Sequence, residues 1–171
     1  MLGFSNLPTP MGTGIIIAGV AGILAFLWWE KKADDPILQL KLFKNNPVYI
    51  FSNLAALINY SGTFSVMFMM SLYLQYAKGF SPLHAGLIMI AMPAIQAVFS
   101  PLTGRLSDRV SLGILASAGM ALNAIALISL SFLDQDIGMG YLFTGLIMMG
   151  LGIALFSSPN TNAIMGSVES K

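Results

Sequence analysis

Three charged side chains crowd into five residues, Arg105, Asp108 and Arg109, between two long apolar stretches. The arginines can bind phosphate groups or the carbonyl ends of helices. The aspartate can pair with an arginine or lie at a helix N-terminus. Because such a cluster cannot lie in hydrocarbon, we predict a tight turn at a membrane surface over residues 104–109, where Gly104 suits a close connection between helices.

Uncharged polar side chains interrupt the apolar stretches themselves at Asn59, Tyr60, Gln96 and Asn123. Each is costly to leave unpaired in hydrocarbon, so each must face another helix or a water-filled cavity. Two interpretations stay open for every one of them: a hydrogen bond between helices, or contact with a ligand. Asn59 lies roughly 18 Å along a helix that starts at Pro47, which places it near the middle of a bilayer.

The sequence lacks most of the side chains that an enzyme active site or a metal site requires. There are no cysteines and one histidine, which excludes thiolate and multi-histidine metal sites. No Asp, Glu, Lys or Arg falls within a predicted span, so these helices supply no obvious carboxylate for a proton relay. We expect no catalytic residue, no metal and no cofactor. His84 is expected to be exposed at a helix start, with proton sensing as the alternative.

The composition indicates an integral membrane protein, because 56% of the residues are hydrophobic and only 9% are charged. The formal net charge of +1 gives no reason to expect a nucleic-acid partner, since the few charges are confined to loops. We therefore expect the lipid bilayer to surround the chain.

Five apolar segments are long enough to cross a bilayer, at about residues 12–29, 47–76, 82–103, 112–133 and from 139 to between 158 and 168. We therefore predict an all-α integral membrane protein with about five transmembrane helices. Pro47 and Pro82 suit first helical positions. Pro93 and Pro101 are expected to kink the third span, because proline frees a backbone carbonyl inside a helix.

The spans divide the chain into three predicted parts. Residues 1–29 form an external start and the first transmembrane helix. Residues 30–46 form a cytoplasmic linker with an amphipathic piece at 37–43, which lies either along the membrane surface or in a soluble linker helix. Residues 47–171 form four further transmembrane helices.

The distribution of basic residues predicts the orientation. Loops alternate between the two sides of the membrane, and one side receives Lys31, Lys32, Lys41, Lys44, Arg105, Arg109 and Lys171. The other side receives only Lys78. Since cytoplasmic loops carry the excess of basic residues, we expect the N-terminus outside and the C-terminus in the cytoplasm.

The charged stretch at residues 104–109 (GRLSDR) resembles the loop signature of major facilitator superfamily transporters, roughly G-x-L-a-D-R-x-G-R-K. Residues 110–113 (VSLG) depart from it, because the family usually has a glycine and two basic residues there. That departure is common in the copy carried by the second half of these proteins. Residues 72–76 (LYLQY), 81–87 (SPLHAGL) and 156–160 (FSSPN) are similar to the fourteen-helix drug:proton antiporter branch.

This resemblance implies a partial major-facilitator bundle, made of the helix before the central linker and the first four helices of the second half. The N-terminal half and the last two helices would then be missing partners. It also implies which residues have functional roles. The central cavity would be lined by the candidate substrate-binding residues Asn59, Tyr60 and Gln96, whereas the span with Asn123 packs outside. The conformational or gating loop would contain Gly104, Arg105, Asp108 and Arg109.

The resulting functional hypothesis is a part of a secondary active transporter in the plasma membrane. It would export small lipophilic compounds against a proton gradient by alternating access. The methionines could form an adaptable hydrophobic wall for varied substrates. The alternative is a membrane scaffold or interaction subunit that does not transport, and an intramembrane enzyme is disfavoured because the spans lack the required side chains.

Overall fold

The computed structural model describes residues 8–30, 32 and 46–168. It divides the chain into two units, Met1–Asn45 and Asn46–Lys171. Within the described residues all regular elements are helices, and five helical segments are long and apolar enough to cross a membrane. The predicted all-α membrane architecture with five spans is therefore confirmed. The predicted amphipathic piece at 37–43, with most of the linker, lies outside the described residues, as do residues 1–7 and 169–171.

The first unit contains helix α1, Pro10–Glu30. Thr9 precedes it and its hydroxyl accepts a hydrogen bond of 3.2 Å from the amide of Gly12. This is how an N-terminal cap satisfies a backbone donor that has no partner within the helix. At the other end the ammonium of Lys32 lies 4.2 Å from the centre of the Trp28 ring. An aromatic ring beside a cation is typical of a helix end at the membrane–water interface.

Helix α2, Pro47–Leu72, opens the second unit as the sequence predicts. The side chain of Asn46 caps it by accepting a hydrogen bond of 3.0 Å from the amide of Tyr49, and Pro47 takes the first helical position. A π-helical turn over Tyr73–Ala77 extends the helix. The chain then reverses at Gly79, whose φ of 71° is the left-handed conformation that glycine adopts without strain.

The third span is broken, as its internal proline predicts. Helix α3, Pro82–Met89, and helix α4, Ala91–Ser107, are separated at Ile90. Pro93 has no N–H to donate to the carbonyl of Met89 four residues earlier, so the regular ladder cannot continue there.

Helices α5, Leu112–Leu130, and α6, Met139–Ser167, complete the bundle. Helix α5 ends three residues before the predicted boundary. Helix α6 continues through Pro159 to Ser167, which is the longer of the two extents that the sequence allowed.

Helix α6 is the centre of the second unit, and its apolar face forms the core. The buried side chains Leu142, Leu146, Met149 and Ile153 pack there against residues from α2, α4 and α5. The helix backbones approach closely where a glycine faces a neighbour. A Cβ atom at Gly119 on α5 would lie 2.6 Å from the carbonyl oxygen of Gly152. Small residues allow this kind of contact between membrane helices.

Candidate functional site

A buried polar contact between two side chains joins α2 to α5. The amide nitrogen of Asn123 donates a hydrogen bond of 3.2 Å to the side-chain oxygen of Asn59. Both side chains are buried, with 8% of Asn59 and 4% of Asn123 exposed. Asn59 therefore does not simply face an open cavity, and Asn123 contacts a residue that the resemblance assigned to the cavity wall.

Gly152 on α6 closes the other side of this asparagine pair. A Cβ atom at position 152 would collide with the side-chain oxygen of Asn123. That oxygen is buried and has no hydrogen-bond partner among the described residues. A buried acceptor without a partner costs about 1–3 kcal/mol. The pair therefore joins α2 to α5, and α6 packs closely against it at Gly152.

We expect the asparagine pair to be energetically coupled. A double-mutant cycle with Asn59→Ala and Asn123→Ala should give a coupling of roughly 0.6–1.7 kcal/mol, as measured for hydrogen bonds between membrane helices. The measurement is the free energy of unfolding in mixed detergent micelles. Asn53 is the matched control, because its amide bonds to the carbonyl of Tyr49 within α2. A cycle of Asn53→Ala with Asn123→Ala should be additive, and equal coupling in both cycles would contradict the assignment.

Tyr60 lies beside this pair but belongs to a different contact. Its hydroxyl is 3.2 Å from the hydroxyl of Ser157 on α6, and its ring meets the ring of Phe156 edge to face with centres 6.3 Å apart. Phe156 is fully buried, whereas 38% of Tyr60 is exposed. The hydroxyl and one side of the Tyr60 ring therefore contact α6, and the rest of the ring is exposed.

Gln96 on α4 is half-buried. Its carbonyl accepts a hydrogen bond of 2.7 Å from the hydroxyl of Ser100. In the described part of the chain no hydrogen bond joins its side-chain amide to Asn59 or Tyr60. The structure therefore brings Asn59 and Tyr60 to one region of α2 and leaves the Gln96 amide unengaged.

Fewer residues of the charged stretch 104–109 lie in a loop than the sequence predicts. Helix α4 continues to Ser107, so Gly104 and Arg105 lie in its last turn, and only Asp108 and Arg109 lie in the turn that follows. The Ser107 hydroxyl donates to the carbonyl of Gly104 at 2.6 Å, which gives a partner to one of the carbonyls at the end of this helix. The prediction of a turn over all six residues was wrong at its first four positions.

Within the residues that the structure covers, the carboxylate of Asp108 is exposed and forms no salt bridge. It occupies the C-cap of α4, where the negative end of the helix dipole disfavours a carboxylate. Arg105 and Arg109 are exposed as well. The three charges are therefore available to groups outside this bundle.

Sequence reasoning did not assign the polar end of α6 to the site. Its side chains hold the neighbouring helices near the Asp108 turn: Asn160 donates to the carbonyl of Ser52 at 3.2 Å, and Asn162 donates to the hydroxyl of Ser107 at 3.3 Å. The hydroxyl of Thr103 donates to the carbonyl of Ala154 at 2.9 Å. The polar run at residues 157–162 was the signal that could have identified this contact.

Three relatives show what the chain is similar to. The riboflavin transporter RibZ of Clostridioides difficile is 29% identical over 160 residues, covering 92% of this chain and 35% of the relative. The tetracenomycin C resistance and export protein of Streptomyces glaucescens is 27% identical, with 92% and 29% covered. The methylenomycin A resistance protein of Bacillus subtilis is 32% identical, with 88% and 33% covered.

The chain spans about a third of the length of these curated relatives. No solved structure gives a significant match. The profile of the Major Facilitator Superfamily, however, matches residues 1–171, which is the whole sequence. Together with the five membrane-spanning helices, this match shows that the chain is a multi-pass membrane protein of the Major Facilitator Superfamily.

Proposed function

We propose that the chain is part of a secondary active transporter that exports small lipophilic compounds in exchange for protons. The observation that carries this proposal is the family match across all five spans, in a chain whose relatives include proteins named for resistance and export. Alternating access would move the substrate by rocking two helical halves around a site near the middle of the membrane. This bundle would supply a portion of one half, of the kind found in the fourteen-helix branch, and would have no catalytic role.

The proposal assigns different tasks to the three candidate substrate residues. Tyr60 has a free ring face and Gln96 has an unengaged amide, so both can contact a substrate in the full-length protein. Asn59 shapes the wall beside Tyr60, because its side-chain oxygen is held by Asn123. An aromatic face with a few polar groups suits lipophilic compounds that carry one or two hydrogen-bonding atoms.

Proton coupling is assigned to residues outside this chain. Residues 47–77, 82–103, 112–130 and 139–167 contain no Asp, Glu, Lys or Arg. Helix α1 carries one carboxylate, Glu30, at its last residue, where it is buried. No carboxylate lies in the interior of a described span, so we assign the group that binds and releases a proton within the membrane to another part of the full-length transporter. The same observation favours the second candidate, a scaffold that does not transport.

The proposed orientation places the Asp108 turn in the cytoplasm and residues 134–137 outside, with the N-terminus outside and the C-terminus inside. These 171 residues contain no cysteine, so a single-cysteine variant of this chain carries no other thiol. In intact cells an impermeant thiol reagent should label Asp136→Cys and leave Ser111→Cys unlabelled. Both positions should label after permeabilisation. Labelling of Ser111→Cys alone in intact cells would reverse the orientation.

A cell-based experiment tests the export activity. Cells that express the full-length protein containing this segment should retain less lipophilic dye than cells with the empty vector, and a protonophore should abolish the difference. Equal retention at a verified level of membrane-inserted protein would favour the scaffold.

A further inference from the structure

The end of α2 carries a π-helical turn, Tyr73–Ala77, in place of a regular α-helical end. Its backbone is closed by a hydrogen bond of 3.1 Å from the amide of Lys78 to the carbonyl of Tyr73, five residues earlier. An α-helix would join that carbonyl to the amide of Ala77, four residues further along the chain. π turns are rare, and they are frequent at functional sites. We therefore expect a contact outside the backbone to favour this form.

The two residues whose backbones close the turn also bind one loop through their side chains. The hydroxyl of Tyr73 donates to the carbonyl of Asp134 at 2.7 Å. The ammonium of Lys78 donates to the carbonyls of Gln135 at 2.5 Å and Ile137 at 2.6 Å. Three carbonyls of the loop between α5 and α6 thus accept from two side chains at the end of α2. We call these three hydrogen bonds the clasp.

The π form brings both side chains of the clasp to the same side of the helix. In an α-helix, with 3.6 residues per turn, side chains five positions apart are separated by about 140° around the helix axis. In a π turn the backbone hydrogen bond joins residues five apart, so Tyr73 and Lys78 lie about one turn from each other. The Lys78 ammonium accordingly lies 5.9 Å from the centre of the Tyr73 ring. The clasp and the π form therefore support each other.

Lys78 is the charged member of the clasp. It is half-buried, and among the residues that the structure describes its ammonium forms no salt bridge. A charged donor makes hydrogen bonds roughly twice as strong as a neutral one. Because the ammonium has two carbonyl partners and the Tyr73 hydroxyl has one, we expect Lys78 to contribute most of the clasp.

We propose that the clasp is a conformational switch, which holds the end of α2 in the π form and lets this turn unwind when the loop releases Tyr73 and Lys78. The π turn is a single turn at a helix end, so its backbone alone gives it little cooperative support. A displacement of the loop between α5 and α6 would then be transmitted to the end of α2. The switch uses contacts within this chain only, and it does not depend on transport.

Hydrogen exchange of the backbone amide at position 78, resolved by NMR for the chain in nanodiscs, tests the proposal. This amide closes the π turn, so its protection factor reports the unwinding of the turn. Lys78→Met keeps the apolar stem and should lower the protection factor by about tenfold or more, a change of ~1.4 kcal/mol. Tyr73→Phe removes a neutral hydrogen bond and should lower it by about fivefold.

Tyr141→Phe is the matched control for Tyr73→Phe. The hydroxyl of Tyr141 also donates to a backbone carbonyl at 2.7 Å, that of Ser129, and it joins α6 to α5 near the same loop. It takes no part in the clasp, so its loss should leave the amide at position 78 as protected as before.

Chemical rescue tests the role of the ammonium. In Lys78→Ala, added propylammonium replaces the missing part of the side chain and should restore the protection factor in a saturable way. Tetramethylammonium has the same charge but no N–H donor, so it should restore none. Unchanged protection in both Lys78→Met and Tyr73→Phe, an equal loss in Tyr141→Phe, or equal rescue by tetramethylammonium would overturn the proposal. Faster exchange confined to the loop amides at 135–137 would also overturn it, because the side chains would then hold the loop but not the π turn.

Discussion

Gly119→Leu is expected to prevent the second unit from folding, because no side chain fits at this position. A Cβ atom there would lie 2.6 Å from both the carbonyl oxygen of Gly152 and the amide nitrogen of Phe156. These are backbone atoms of α6, so they cannot move aside as a flexible side chain can. Overpacking typically costs about 1–3 kcal/mol for small additions, which is the effect expected for Gly119→Ala. The larger leucine should leave little folded protein.

The matched control is Gly113→Ala on the same helix. A Cβ atom at Gly113 meets nothing within 4 Å. Alanine is a better helix former than glycine by roughly 0.5–1 kcal/mol, so this variant should be neutral or slightly stabilised. Unfolding of the three variants in mixed micelles, followed by circular dichroism, gives the comparison. Equal stability of Gly119→Ala and Gly113→Ala would show that α5 and α6 are farther apart than described.

Asp108→Asn is expected to impair turnover of the full-length protein while leaving the bundle folded. The carboxylate is exposed at the C-cap of α4, where the helix dipole disfavours it, and no described residue pairs with it. We propose that it pairs with a cation or a helix N-terminus of the missing half in one state of the cycle. Such a contact stabilises by ~0.3–1 kcal/mol when exposed and up to ~2 when partly buried. Its loss should shift the conformational equilibrium roughly two- to thirtyfold.

Two readouts separate this role from a structural one. In the chain alone Asp108→Asn should be neutral or slightly stabilising, because it removes a charge from an unfavourable helix end. In the full-length protein it should slow transport and change the accessibility of a cysteine introduced at Val110 in the same turn. Ser111→Ala is the control and should do little to either readout. Unchanged turnover together with unchanged accessibility would leave Asp108 as an ordinary loop residue.

Hydropathy was enough to predict the spans, because membrane helices must be long, apolar and internally hydrogen-bonded. The caps at Asn46 and Pro47 and the break before Pro93 were also readable, since each depends on the chemistry of a few adjacent residues. The end of α4 could not be predicted from the sequence. Three charges in 104–109 indicate the membrane surface, but they do not show that α4 stays helical through Ser107.

The candidate site was less predictable, because its contacts join residues far apart in the chain. Asn59 and Asn123 are 64 positions apart, and neither local pattern shows that the two amides meet. Resemblance placed the helix of Asn123 outside the cavity, which gave no reason to expect it behind Asn59. The close contact at Gly152 can be recognised only when the helix that packs against it is known.

Reconstitution into liposomes with an imposed pH gradient tests the central claim most directly. The full-length protein containing this segment should move a lipophilic compound only when the gradient is present. The 171-residue chain alone should move none, because its described spans supply no second half and their one carboxylate, Glu30, lies at the end of α1. Gradient-independent movement by the full-length protein, or proton-driven movement by the chain alone, would contradict the account.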